Sequence, residues 1–121
     1  MDRHLKAHLF DITTAIDEVQ SFFTVVPRRF DEYKKNLMLR RAVERNIGII
    51  GEAVNKILKD SPEIEITNAR AIIATRNRVI HDYAAVTDDV MWKIVINDLP
   101  KLKKEINGLL SKEAANVTPA P

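Results

Sequence analysis

The sequence contains no cysteine. That absence excludes disulfides, thiolate nucleophiles, iron–sulfur ligation and every zinc module built on cysteine. It accords with a cytoplasmic location, where thiol chemistry is not used to staple folds. Glycine is scarce at 3 residues, proline at 5, and aromatic residues make up 6% of the chain, which argues against a turn-rich β-sandwich. No uninterrupted apolar run approaches the ~18–20 residues that cross a bilayer. The opening stretch MDRHLKAHLFDITTAIDEV is charged throughout and lacks an apolar signal core, so no membrane partner is expected. A strong charge excess is missing too: 19 Lys and Arg stand against 17 Asp and Glu, a net +2. Overall charge therefore makes no case for nucleic-acid binding.

What is present is a balanced, distributed chain. With 121 residues, 45% hydrophobic and 30% charged, it has the material for one globular domain. Charge is concentrated between residues 28 and 59. Arg28, Arg29, Lys34, Lys35, Arg40, Arg41, Arg45, Lys56 and Lys59 face Asp31, Glu32, Glu44 and Glu52 there. Nine cations against four anions give a local +5, leaving −3 for the rest of a +2 chain.

Hydrophobic periodicity predicts an all-α fold, an antiparallel bundle of four to five helices. Leu5, Leu9, Ile12, Ile16, Val19, Phe23 and Val26 form one stripe of a helix over 2–26, which Pro27 ends. A second helix is expected over 31–59, striped by Leu39, Val43, Ile47, Ile50, Val54 and Ile57. Gly48 and Gly51 lie within it, where each costs about 1 kcal/mol relative to Ala; close approach of another helix backbone would explain both. Thr67 or Asn68 can cap a third helix ending near His81, and Thr87 a fourth that carries Met91, Val95, Leu99, Leu102, Ile106 and Leu109. Pro100 inside that fourth helix should kink it. The domain is expected over 1–115, with a disordered tail over 116–121. The first and last stripes are longer than a small core needs, which suggests a homodimer.

The densest polar cluster is Arg76-Asn77-Arg78-Val79-Ile80-His81-Asp82-Tyr83. On a helix Asn77 and His81 are about 40° apart, whereas Arg76 and His81 diverge by about 140° unless the helix ends or bends. These residue types suit metal-free phosphodiester cleavage. A neutral imidazole can take the proton of a ribose 2′-hydroxyl, a guanidinium can neutralise the developing phosphorane, and Asn77 can fix the imidazole tautomer. One histidine supplies only one of the two proton-transfer groups, and a twofold axis would supply the other. A histidine at a helix end also serves as a dipole partner, and Arg76 and Arg78 can pair with Asp82. The residues alone leave both roles open.

The segment resembles the signature of the HEPN superfamily: an Arg, a polar residue, and a His after four to six positions. With Tyr83 two residues beyond His81, it looks like the HepT-like branch. Arg41-Ala-Val-Glu-Arg-Asn-Ile-Gly-Ile-Ile-Gly-Glu-Ala53 and Val90-Met-Trp-Lys-Ile-Val-Ile-Asn-Asp-Leu-Pro100 are similar to further segments of that branch, so the resemblance spans almost the whole chain. Ala69 stands where relatives often carry Trp. The resemblance implies a dimeric helical bundle with two motifs facing across a cleft. It also implies a metal-independent endoribonuclease toxin of a toxin–antitoxin pair. A cognate minimal nucleotidyltransferase is implied to neutralise it by attaching AMP to the motif tyrosine. Arg76 and His81 would then be catalytic, Asn77 supporting and Tyr83 the modification site, with no cofactor and no metal. Arg40, Arg41, Arg45 and Arg78 would contact RNA phosphates. The alternative is a non-catalytic, nucleotide-binding or regulatory partner of the nucleotidyltransferase. His4, His8 and Asp11 share a helical face and could hold a metal, or equally be solvated.

Overall fold

The computed structural model describes residues 3–67, 69–81 and 87–116, and among these every regular element is helical. Helix α1 spans Arg3–Phe22 and buries Leu5, Leu9, Ile12, Ala15, Ile16 and Val19. It ends short of Val26 because its last turn tightens. The amides of Phe23, Thr24 and Val25 donate three residues back, to Gln20, Ser21 and Phe22, while the Ser21 and Thr24 hydroxyls bond the carbonyls of Glu18 and Ser21.

The expected helix over 31–59 is two helices. Helix α2 spans Phe30–Lys35 and helix α3 spans Leu37–Asp60. Asn36 separates them in an extended conformation (φ −105°, ψ 97°), and its side-chain oxygen accepts from the Leu39 amide at 3.0 Å. This is an N-cap, and the apolar stripe, which continues across it, gives no hint of the break.

Helix α4 spans Ala69–His81. Thr67 does not cap it with its side chain free; its amide and hydroxyl both donate to Glu105, at 2.6–3.0 Å. Asn68 lies outside the described residues. Helix α5 spans Asp88–Lys93, followed by a π turn at Ile94–Asp98 and helix α6 at Leu99–Asn116. The disturbance expected at Pro100 takes the form of that π turn. Proline has no amide to offer the carbonyl four residues back, and the chain widens just before it, with the Leu99 amide reaching Ile94 five residues away. Helix α6 runs through Asn116; the rest of the expected tail, 117–121, lies outside the described residues.

Helix α3 is the spine. It packs against α1 on one side and α4 on another, α2 folds against it and α5, and α6 lies along α1. Leu9, Ile12, Ile16, Val43, Ile47, Ile50, Val54, Ile57 and Ile106 are fully buried, each contributing about 1.5–3 kcal/mol of burial. Of the α1 stripe expected to seek a second chain, Leu5, Leu9, Ile12, Ile16 and Val19 are at most 7% exposed within this one, and Phe23 and Val26 are partly buried. That covered part of the stripe gives no argument for a dimer, whereas Phe10, on α1 but off the stripe, is half exposed. No helix is long and apolar enough to cross a membrane among the described residues.

Candidate active site

Helix α4 carries the motif, and one glycine sets its distance from α3. A Cβ built on Gly51 would lie 2.5 Å from Cβ and 2.9 Å from Cγ of Arg76, and 3.3 Å from the Ile72 carbonyl oxygen. No real side chain tolerates the first two. Close helix approach thus explains Gly51, whereas a Cβ on Gly48 would meet nothing within 4 Å. The two glycines of one stripe have different reasons to be there, and only one supports the expectation.

Arg76 is half-buried. Its Nη1 donates to the side-chain oxygen of Asn77 at 3.0 Å, and its Nε is buried with no hydrogen-bond partner among the described residues. Asn77 is exposed, and its amide oxygen is engaged by arginine. Arg78 is exposed on the same helix. Helix α4 is described as far as His81. The His81 side chain and all of Tyr83 lie outside the described residues, as does Asp82.

From its contact with Gly51 the chain runs back toward the N-terminal end of α3, where Asp88 of α5 meets Arg40 (Nη1 to Oδ1, 3.7 Å). Arg40 is half-buried and its Nε is a second buried donor without a described partner. Arg41 is exposed and donates to both oxygens of Glu44 at 3.0 Å; Arg45 is exposed one turn further on. The expected phosphate contacts are therefore unequal. Arg45 and Arg78 point to water, whereas Arg40 and Arg41 are held by carboxylates that an incoming phosphate would have to displace.

Sequence reasoning missed the corner that supports this end. Tyr33 is fully buried and its hydroxyl has no described partner. Burial raises its pKa well above the ordinary 10.0, and the carboxylates of Glu44 and then Asp88 push it the same way. Its ring packs on Trp92 of α5 at 5.4 Å between centroids, and Phe23 meets the same indole edge-on at 5.6 Å. Sparse as the aromatic residues are, four of the rings form one cluster, Phe30 lying 6.2 Å from Trp92. An open cleft of about 420 Å³ lies beside it, lined by Phe30, Lys34, Thr87, Asp88 and Asp89. Thr87 begins α5 without a side-chain cap. Its hydrogen bond with Asp89 holds that carboxyl below the usual range, helped by Asp89's own backbone amide.

His4, His8 and Asp11 do not converge: among the described residues no group of three or more potential ligands could hold a metal ion. The site as described offers a held guanidinium, an oriented amide and exposed arginines, which suits recognition of a phosphodiester.

Residues 12–109 match the family model described as "Ribonuclease HepT-like". The chain is 37% identical over 106 residues to a candidate RNase of Methanocaldococcus jannaschii, covering 86% of this chain and 94% of that one. It is 34% identical over 113 residues to the "Probable ribonuclease HepT" of Thermococcus cleftensis, covering 90% and 98%. A candidate RNase of Caldanaerobacter subterraneus subsp. tengcongensis is 32% identical over 85 residues, 69% of this chain and 76% of that one. No solved structure gives a significant match. On a family match over most of its length, the chain belongs to the HepT-like ribonuclease family of the HEPN superfamily.

Proposed function

We propose that the protein is a metal-independent endoribonuclease. The carrying observation is Arg76: its stem packs against the α3 backbone at Gly51 and its guanidinium donates to Asn77, five residues before His81 on the same helix. A half-buried, preorganised cation is what a developing phosphorane needs, because its orientation is set before the reaction. His81 acts as general base on the 2′-hydroxyl, and the second His81 of a homodimer protonates the leaving 5′-oxygen. The products are a 2′,3′-cyclic phosphate and a 5′-hydroxyl. Arg45 and Arg78 guide the strand electrostatically, with Arg40 and Arg41 joining when their carboxylate partners yield.

On this reading the chain is the toxin of a toxin–antitoxin pair and the cognate nucleotidyltransferase silences it by adding AMP to Tyr83. Negative charge placed beside Arg76 would occupy the phosphate subsite and repel RNA. The relatives' names support the ribonuclease step; the resemblance of the motif supports the rest.

The test is cleavage of a single-stranded RNA in EDTA. Wild type should cut RNA and spare the 2′-deoxy analogue, and His81→Ala should lower the rate at least about 100-fold. Cutting by His81→Ala at the wild-type rate would remove the assignment. Light scattering at micromolar concentration should give twice the chain mass; a monomer that cleaves would exclude the shared site.

A further inference from the structure

We infer that Gly51 is a positioning residue for Arg76, so that helix α3 sets the aim of the guanidinium on α4. The inference rests on the proposed ribonuclease reading and adds a residue of another helix to its site. Three observations carry it. The space a Cβ would fill on Gly51 is already occupied by the Cβ and Cγ of Arg76, at 2.5 and 2.9 Å. The same imaginary atom lies 3.3 Å from the carbonyl oxygen of Ile72, so backbone blocks a second direction. Finally, the Arg76 Nε is buried without a described partner, while the tip of the same group is anchored to Asn77 at 3.0 Å.

The consequences follow from where the contact falls. It is the root of the arginine, not the flexible end, that sits in the glycine notch. Adjustment of the side chain beyond Cγ cannot relieve a clash at Cβ, so any larger residue at 51 must move α4 or tilt the Cα–Cβ bond of Arg76. A small tilt at the root is magnified at the guanidinium, several bonds further out. Misplacement by about 1 Å can cost on the order of 100-fold in rate without loss of substrate binding. Gly48, one turn away on the same helix, supplies the internal control, because a Cβ there meets nothing within 4 Å.

The experiment compares Gly51→Ala, Gly48→Ala and Arg76→Ala with wild type on a fluorescent single-stranded RNA oligonucleotide of mixed sequence, with folding checked by circular dichroism. Gly51→Ala should lower kcat on the order of 100-fold with KM within about twofold, and Gly48→Ala should leave both unchanged. A Gly51→Ala enzyme with wild-type kcat, or one whose loss lies in KM, overturns the positioning role while Arg76→Ala remains inactive. If Arg76→Ala itself cleaves like wild type, the ribonuclease site is misassigned and the positioning role falls with it.

A second measurement needs no activity. In the ¹⁵N,¹³C-labelled wild-type protein the Arg76 Nε–H resonance, assigned by its loss in Arg76→Lys, should exchange slowly, and the Arg76 β- and γ-protons should show nuclear Overhauser contacts to the Gly51 α-protons. Fast exchange with no such contact overturns the inference.

Discussion

The two sides of α3 are built to different standards. Toward α1 the spine is apolar and satisfied: Ile12, Ile16 and Val19 share the buried core with Val43, Ile47 and Ile50, and the buried Asn46 amide donates to the Ala15 carbonyl at 3.2 Å and to Glu18 at 3.0 Å. Toward α2, α4 and α5 the polar groups are incomplete among the described residues. Tyr33 Oη, Arg40 Nε and Arg76 Nε are the buried side-chain atoms without partners among the described residues, and all three lie on this side. Leaving a buried donor unpaired costs roughly 1–3 kcal/mol, so the difference is not neutral. One face secures the fold, and the other keeps hydrogen-bonding capacity beside the motif.

The sharpest way to break the contrast is Ile16→Ala, on the satisfied side. Ile16 is fully buried, and its truncation should cost about 2–5 kcal/mol in urea denaturation. The folded fraction should cleave RNA at the wild-type rate. A selective loss of kcat from this substitution would mean that the two sides are not separable.

Asn46→Ala should cost less, about 1–3 kcal/mol, because it removes the two hydrogen bonds to the Ala15 carbonyl and the Glu18 carboxylate. Matching stabilities for the variant and wild type would show that the amide adds nothing to the seam.

Tyr33→Phe should have the smallest effect, near zero or stabilising at neutral pH, since the lost hydroxyl has no described partner. Its signature is in alkali. The folded phenol is held protonated above the ordinary pKa, so the wild type keeps its full stability below about pH 10. It loses stability as pH rises beyond that, when the unfolded chain ionises and the folded one does not. The variant should lose less stability than wild type across that range; parallel losses would mean that the phenol ionises as easily in the fold.

Much of this was readable in the residues. The stripes of α1, α3 and α6 locate the core, because burial follows a 3.6-residue period. The Arg76–His81 segment marks itself by polarity on an otherwise apolar helix. Three things were illegible for physical reasons. Asn36 breaks a helix without breaking its apolar period, since the cap acts through one side-chain oxygen. Gly48 and Gly51 look alike in sequence, because only the neighbouring helix distinguishes open space from a blocked Cβ. The pairing of Arg40 with Asp88 joins residues 48 positions apart, whereas Asp88 taken locally is only an acid at a helix start.

The π turn before Pro100 has a consequence for aim. An extra residue in one turn rotates everything after it by about 100° relative to an unbroken α-helix. Helix α5 can therefore face α2 while α6, its direct continuation, lies on α1. One rod serves two walls, and the half that anchors the Asp88 corner keeps its own orientation, out of phase with the half that closes the core.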